Sequence, residues 1–139
     1  MHNSRLVPTG IVLALCLAAG TTGARAADEP YRVAVASDGV QRVAVVGGSY
    51  FFKPDHLVVK AGTPVELVLR AEPGIVPHRF VLRLPSDQIA IDTQLGEEPR
   101  VFRFTPGTVG RYPYYCPNKL LFFDSHRDKG MAGMLEVVE

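Results

Sequence analysis

The chain has 139 residues, 47% of them hydrophobic, and its 15 basic and 14 acidic residues give a formal net charge of +1. This length suits one domain with a single core. The balanced charge argues against a nucleic-acid-binding protein, which would carry a strongly basic face.

The first 26 residues have the pattern of a secretory signal. Arg5 gives a basic start, residues 11–20 form an apolar run, and Ala24 and Ala26, on either side of an arginine, form a small-x-small cleavage site. The apolar run is too short to span a bilayer. We therefore expect cleavage after Ala26, export to the periplasm, and a single folded domain over residues 27–139. An uncleaved membrane anchor is the alternative.

Cleavage would leave the exported domain with one thiol. Cys16 lies within the apolar run, so Cys116 would be the remaining cysteine. It would then be free, bonded to another chain, or a metal ligand. An exposed free thiol is easily oxidised in an oxidising compartment, and metal ligation would remove that problem.

The rest of the chain predicts short strands separated by turns rich in glycine and proline. Several segments alternate apolar and polar residues at period two, as a strand with one buried face does. The predicted strands are residues 31–36, 41–46, 50–52, 56–60, 64–71, 78–84, 100–105, 110–116 and 134–138. Residues 88–95 form either a strand or a turn of helix, and the glycines at 47–48 are expected to end the second strand. This pattern is typical of an all-β Greek-key sandwich.

Four residues carry the chemistry: His78, Cys116, His126 and Met131 supply two imidazoles, a thiolate and a thioether. That set suits a trigonal copper site with a weak axial sulfur. His78 opens one predicted strand, Cys116 ends another, and the other two lie in the following loop. Each residue also has a simpler explanation, such as a core cysteine or a solvated histidine, and Met134 is an alternative axial ligand.

Several segments resemble the cupredoxins, the family of blue copper proteins. Residues 59–65 resemble an early strand and turn of that family, residues 76–80 its first ligand segment, and residues 114–116 its thiolate strand. Four residues separate His126 from Met131, as in plastocyanin. The resemblance covers residues 50–139, the greater part of the expected domain.

The resemblance implies a cupredoxin-like sandwich that holds one copper ion cycling between Cu(I) and Cu(II). It implies that His78, Cys116 and His126 are equatorial ligands and that Met131 is the axial ligand. Nine residues lie between Cys116 and His126. Small blue copper proteins usually have two to four there, and the blue-copper domain of copper nitrite reductases has a similarly long loop.

The function expected from this site is one-electron transfer by a protein that is not itself an enzyme. Its partner would be an unidentified redox protein, and the chain would act as a monomer without nucleic-acid or membrane partners after cleavage. A periplasmic carrier of Cu(I) in copper tolerance is one alternative. An accessory cupredoxin of a metal-uptake system, which could oxidise ferrous iron, is another.

The long loop contains four consecutive apolar residues, Leu120, Leu121, Phe122 and Phe123. They predict either a docking patch for the redox partner or a cover that folds over the metal site. Three basic residues of the loop form either a basic rim around this patch or an ordinary solvated face: Lys119, Arg127 and Lys129.

Overall fold

The computed structural model describes residues 29–85 and 90–139. The expected secretory signal lies outside the described residues, and the domain boundary at Ala26 stays a prediction. None of the described residues forms a helix with the length and apolarity needed to cross a bilayer.

The described residues form ten strands and no helix, which confirms the predicted all-β class. The strands are β1 (Tyr31–Arg32), β2 (Gln41–Gly48), β3 (Phe51–Lys53), β4 (His56–Lys60), β5 (Val65–Ala71), β6 (Arg79–Arg83), β7 (Ala90–Gln94), β8 (Arg100–Phe104), β9 (Gly110–Tyr115) and β10 (Ala132–Val138).

Two mixed sheets pack face to face as the predicted Greek-key sandwich. One has six strands in the order β1-β4-β10-β9-β6-β7, and the other has four in the order β3-β2-β5-β8. The parallel pairs are β1–β4, β4–β10 and β2–β5. Each joins strands that are distant in the sequence, so the topology requires long crossovers between the sheets.

The core lies between the inner faces of the two sheets, as period-two alternation requires. In β5, Val65, Leu67 and Leu69 are buried and the residues between them are more accessible. Phe80 and Tyr114 stack at 5.1 Å between ring centroids at the centre of this core. A rigid, close-packed interior is thereby placed directly below the strand ends that carry the predicted ligands.

Some strand boundaries differ from the sequence expectation. The glycines at 47 and 48 do not end β2, because β2 continues through both and pairs with β3 at Gly47–Phe52 and Gly48–Phe51. The first predicted strand is shorter than expected: β1 ends at Arg32, and a single bridge joins Val35 to Gln41. Of residues 88–95, those from 90 to 94 are strand.

Candidate metal centre

Pairing among β6, β9 and β10 brings three predicted ligand segments to one end of the larger sheet. The register aligns Tyr115 at the end of β9 with Val81 in β6 and with Ala132 at the start of β10. Cys116 directly follows β9, and the N–H of Cys116 donates to the carbonyl of Met131 at 3.1 Å. Because β6 and β10 run antiparallel to β9, their first residues lie beside its last ones.

The side chains of His78, Cys116 and His126 converge on one point. The Nδ1 atoms of the two imidazoles lie 3.3 Å apart, and the Sγ atom of Cys116 lies 3.4 Å from Nδ1 of His126. All three ligand atoms lie within 4.8 Å of one another, and all three residues are buried.

The two short distances in this triangle, 3.3 and 3.4 Å, are those expected between ligands of one metal ion. A metal ion with bonds of about 2.0 Å to nitrogen and about 2.3 Å to sulfur, at the centre of a trigonal set, holds its ligand atoms roughly 3.5 Å apart. Two imidazoles with a thiolate are donors that copper accepts in both of its oxidation states. The residues present therefore fit a copper ion, and they match three of the four residues expected from the sequence.

Met131, the predicted axial ligand, is close to these residues in the backbone and fully buried. Its N–H donates to the carbonyl of His126 at 2.9 Å, and its own carbonyl accepts from Cys116. A Cβ atom added to Gly47 would lie 3.2 Å from the Met131 methyl group, so β2 passes directly beside this side chain. The alternative, Met134, lies within β10 and is only partly buried. The ligand role of Met131 stays a prediction.

Burial favours the neutral form of the two imidazoles. Desolvation lowers the pKa of His78 below its ordinary value, and the nearby His126 lowers it further. Desolvation, and to a smaller extent the Lys129 ammonium, lowers the pKa of His126. A histidine binds a metal through a neutral ring nitrogen, so both shifts favour the state that metal binding needs.

Hydrogen bonds from the backbone and from one amide fix the ligand segments relative to each other. The N–H of Arg79 donates to Sγ of Cys116 at 3.3 Å. The side-chain amide of Asn118 donates to the carbonyl of Pro77 at 2.7 Å. The backbone carbonyl of Asn118 accepts from the N–H of His126 at 2.8 Å. Sequence reasoning missed Asn118, because its position just after the thiolate gives no indication of which loop it contacts.

A turn in the long loop holds the segment between His126 and Met131. The Ser125 backbone N–H donates to the Asp128 carboxylate at 3.1 Å, and the Asp128 N–H donates back to the Ser125 hydroxyl at 3.2 Å. The Ser125 hydroxyl also donates to the carboxylate at 2.6 Å. The two hydrogen bonds that Ser125 donates, from its hydroxyl and from its N–H, lower the pKa of the Asp128 carboxyl group. This reciprocal pattern is that of a capping box, which satisfies backbone groups at the start of a helical turn.

The apolar run of the loop points into solvent and does not cover the metal centre. The exposed fractions are 66% for Leu120, 74% for Leu121, 85% for Phe122 and 53% for Phe123. The N–H of Phe123 donates to the carbonyl of Leu120 at 3.0 Å, and Leu121 has a φ of 50°, so a tight turn presents these side chains outward.

A groove of about 610 Å³ runs beside this turn and reaches the ligand residue His126. Its apolar lining includes Leu120 and Phe123 from the loop and Ile75 and Val76 from the segment before β6. Ile75 is 99% exposed and Val76 is 46% exposed, so the segment that precedes His78 also presents apolar surface.

Comparisons with known proteins identify the fold. No protein-family model and no curated protein matches the chain. The metal-binding domain of a Cu(I)-exporting P-type ATPase from Streptococcus pneumoniae, solved with Cu(I), matches with a TM-score of 0.57 at 23% identity, over 80% of this chain and 97% of that one.

Two auracyanins from photosynthetic bacteria match in the same way. Reduced auracyanin from Roseiflexus castenholzii has a TM-score of 0.56 at 15% identity, over 70% of this chain and 97% of that one. Auracyanin A from Chloroflexus aurantiacus, described as a "blue" copper protein, has a TM-score of 0.54 at 20% identity, over 72% of this chain and 100% of that one. The cupredoxin-like sandwich expected from the sequence is thus confirmed, and at these identities the likeness establishes the fold alone.

Proposed function

We propose that this chain is an exported mononuclear copper protein that carries single electrons. The observation that carries this proposal is the buried triangle of His78 Nδ1, Cys116 Sγ and His126 Nδ1 at the end of a rigid sandwich. Copper bound there, with Met131 as the axial ligand, would supply a one-electron couple between Cu(I) and Cu(II).

The fixed geometry of the site suits electron transfer. Backbone hydrogen bonds hold two of the ligand residues in place, because the N–H of Arg79 donates to Sγ of Cys116 and the N–H of His126 donates to a loop carbonyl. The ligands therefore have little need to move when the charge of the site changes. Small reorganisation between oxidation states is what a rapid one-electron carrier requires.

The partner is proposed to be a redox protein that docks on the surface around the groove. Leu120, Leu121, Phe122 and Phe123 are all exposed, and the groove that Leu120, Phe123 and Ile75 help to line reaches His126. An exposed apolar patch of this kind, beside a buried redox centre, favours a brief contact with an apolar partner surface. The chain would act as a monomer in the periplasm after cleavage of its signal at Ala26.

Copper carriage is the second candidate. The long ligand loop exposes most of its residues, and one of the structural matches is a domain of a Cu(I)-exporting ATPase solved with Cu(I). A loop that opens would release Cu(I) to a partner instead of exchanging an electron. Ferrous-iron oxidation beside an uptake system stays a further alternative from the cupredoxin resemblance.

The first test is an absorption spectrum of the purified protein titrated with Cu(II). We expect one equivalent of copper and an intense visible thiolate-to-copper band, which Cys116→Ser abolishes while weakening copper binding. Met134→Leu is the matched control, because it changes a sulfur-containing side chain outside the triangle and should leave the band unchanged. A Cys116→Ser protein that keeps the band would exclude this site.

The second test separates the two functions. An electron carrier keeps its copper during many cycles of reduction and oxidation, whereas a carrier of Cu(I) gives the reduced metal to a competing chelator or acceptor within seconds to minutes. Copper content is therefore measured after repeated redox cycling in the presence of a Cu(I) chelator. Retention of copper supports electron transfer, and rapid loss from the reduced form supports copper carriage.

A further inference from the structure

The turn between β2 and β3 places an aromatic ring against the ligand His126. The rings of Tyr50 and His126 have centroids 5.0 Å apart and planes inclined by 82°, an edge-to-face contact. This geometry is one that aromatic pairs prefer, and it contributes beyond the area it buries. Tyr50 is also packed against the core, so the ring is a fixed surface against which the imidazole rests.

Tyr50 is held in an unfavourable backbone conformation. Its φ is +63°, in the left-handed region that bulky residues rarely adopt. Glycine or asparagine would adopt this conformation more readily, yet the chain has tyrosine there. Residues held in such conformations cluster at functional sites, where the surrounding structure fixes them.

The ligand loop makes a second contact with this ring, through Lys129. The Nζ atom of Lys129 lies 4.6 Å from the centre of the Tyr50 ring and 3.5 Å from its hydroxyl. Lys129 follows His126 by three residues in the same hydrogen-bonded turn. The loop thus contacts Tyr50 twice, through the imidazole and through the ammonium group in a cation–π interaction.

We propose that Tyr50 is a positioning residue of the copper site and that the cation–π contact with Lys129 holds the ligand loop against it. The proposal rests on the proposed copper-binding function. The ring fixes the orientation of His126, and the Lys129 contact ties the loop to the turn between β2 and β3. The His126 ring must separate from the Tyr50 ring before it can leave the copper ion, so this contact controls how quickly copper is lost.

The test measures the rate at which Cu(II) is lost to excess chelator, together with the visible and electron paramagnetic resonance spectra. Tyr50→Leu removes the ring, and we expect copper loss to accelerate on the order of threefold to tenfold, with a changed copper spectrum. Tyr50→Phe keeps the ring and the cation–π contact, so the rate should stay within about twofold of the original value.

A matched control distinguishes positioning from general stability. Tyr112 is another partly buried tyrosine packed against the core, and its hydroxyl donates to the carbonyl of Thr108 at 3.0 Å, in the β8–β9 turn. It lies on β9 four residues before Cys116, roughly 13 Å along the strand. Tyr112→Leu should lower the melting temperature without changing the spectrum, and copper loss should stay within about twofold of the original rate. Equal effects of Tyr112→Leu and Tyr50→Leu on copper loss and spectrum would overturn the proposal.

A second pair of variants tests the contact between Lys129 and Tyr50. Lys129→Gln and Lys119→Gln each remove one positive charge from the same loop, and Lys119 has no aromatic ring beneath it among the described contacts. Lys129→Gln should speed copper loss about twofold to fivefold, as expected for the loss of a cation–π contact, and Lys119→Gln should not. Equal acceleration by both variants would show that charge alone matters and would overturn the role of the Tyr50–Lys129 contact.

The outcomes also separate this inference from the proposed function. If the unmodified protein shows no thiolate-to-copper band, the copper site itself is wrong. If the unmodified protein has the band and Tyr50→Leu matches it in release rate and spectrum, only the positioning role is wrong.

Discussion

Replacing Phe122 with serine should slow electron exchange without weakening the fold. Phe122 is 85% exposed, so folding removes only about 30 Å² of its side chain from water, worth below about 1 kcal/mol. A core phenylalanine such as Phe52, which is 2% exposed, would cost about 3–5 kcal/mol when truncated. We therefore expect a melting temperature within a few degrees of the original.

The exchange assay can use the protein as its own partner. Electron self-exchange between Cu(I) and Cu(II) copies requires two docking patches to meet, and it is measured from the line broadening of NMR signals in mixed-redox samples. An aromatic anchor at such a contact is worth about 1–2 kcal/mol, so Phe122→Ser should slow self-exchange roughly tenfold. Oxidation by a small inorganic complex needs no apolar contact and should change little.

Val109 provides the matched control for this experiment. It is 53% exposed and precedes β9, whereas the predicted ligand Cys116 follows the other end of that strand. Val109→Ser should leave both the melting temperature and self-exchange unchanged. Unchanged self-exchange in Phe122→Ser would exclude docking at this residue, and a large loss of stability or an altered copper spectrum would make the apolar run part of the core.

Three further predictions address the axial ligand, the packing of Gly133 against the core and the response to acid. Met131→Leu should keep copper bound and raise the reduction potential in a redox titration, while Met134→Leu should change neither; a larger shift from Met134→Leu would move the axial assignment to that residue. Gly133→Ala should lower the free energy of unfolding by about 1–3 kcal/mol in denaturant titrations, since its new Cβ atom would lie 2.3 Å from the buried ring of Tyr114 and 2.6 Å from a backbone oxygen; a neutral result would mean that this ring can move. A hydrogen bond from His56 in β4 lowers the pKa of Glu136 below its ordinary value of 4.5. Glu136 therefore stabilises the fold above pH 4.5, and this contribution is lost as the pH falls through the lowered pKa. Glu136→Gln should accordingly reduce the loss of stability of the metal-free protein below about pH 4.5, and an unchanged pH profile would contradict this role.

The sequence alone predicted the fold class and the three residues that the structure brings together at the candidate site. Alternating burial has a period of two in strands such as β5, so the pattern of apolar residues predicts which face is buried. The soft donor set of His78, Cys116 and His126 follows from residue chemistry, and the structure brings the three together as expected. The turn at residues 53–55 was also predictable from local sequence, because the proline at residue 54 is disfavoured inside a paired strand.

The contacts around the site depended on tertiary structure. Whether residues 120–123 cover the metal or face solvent depends on a turn with Leu121 at positive φ, which composition does not encode. Gly47 and Gly48 remain in β2 because pairing with β3 outweighs their weak strand propensity. The contact of Tyr50 with His126 arises because the crossovers of the sandwich bring the β2–β3 turn to the end where β9 and β10 meet. Such contacts join residues far apart in the chain, and only the assembled sheets determine which of them meet.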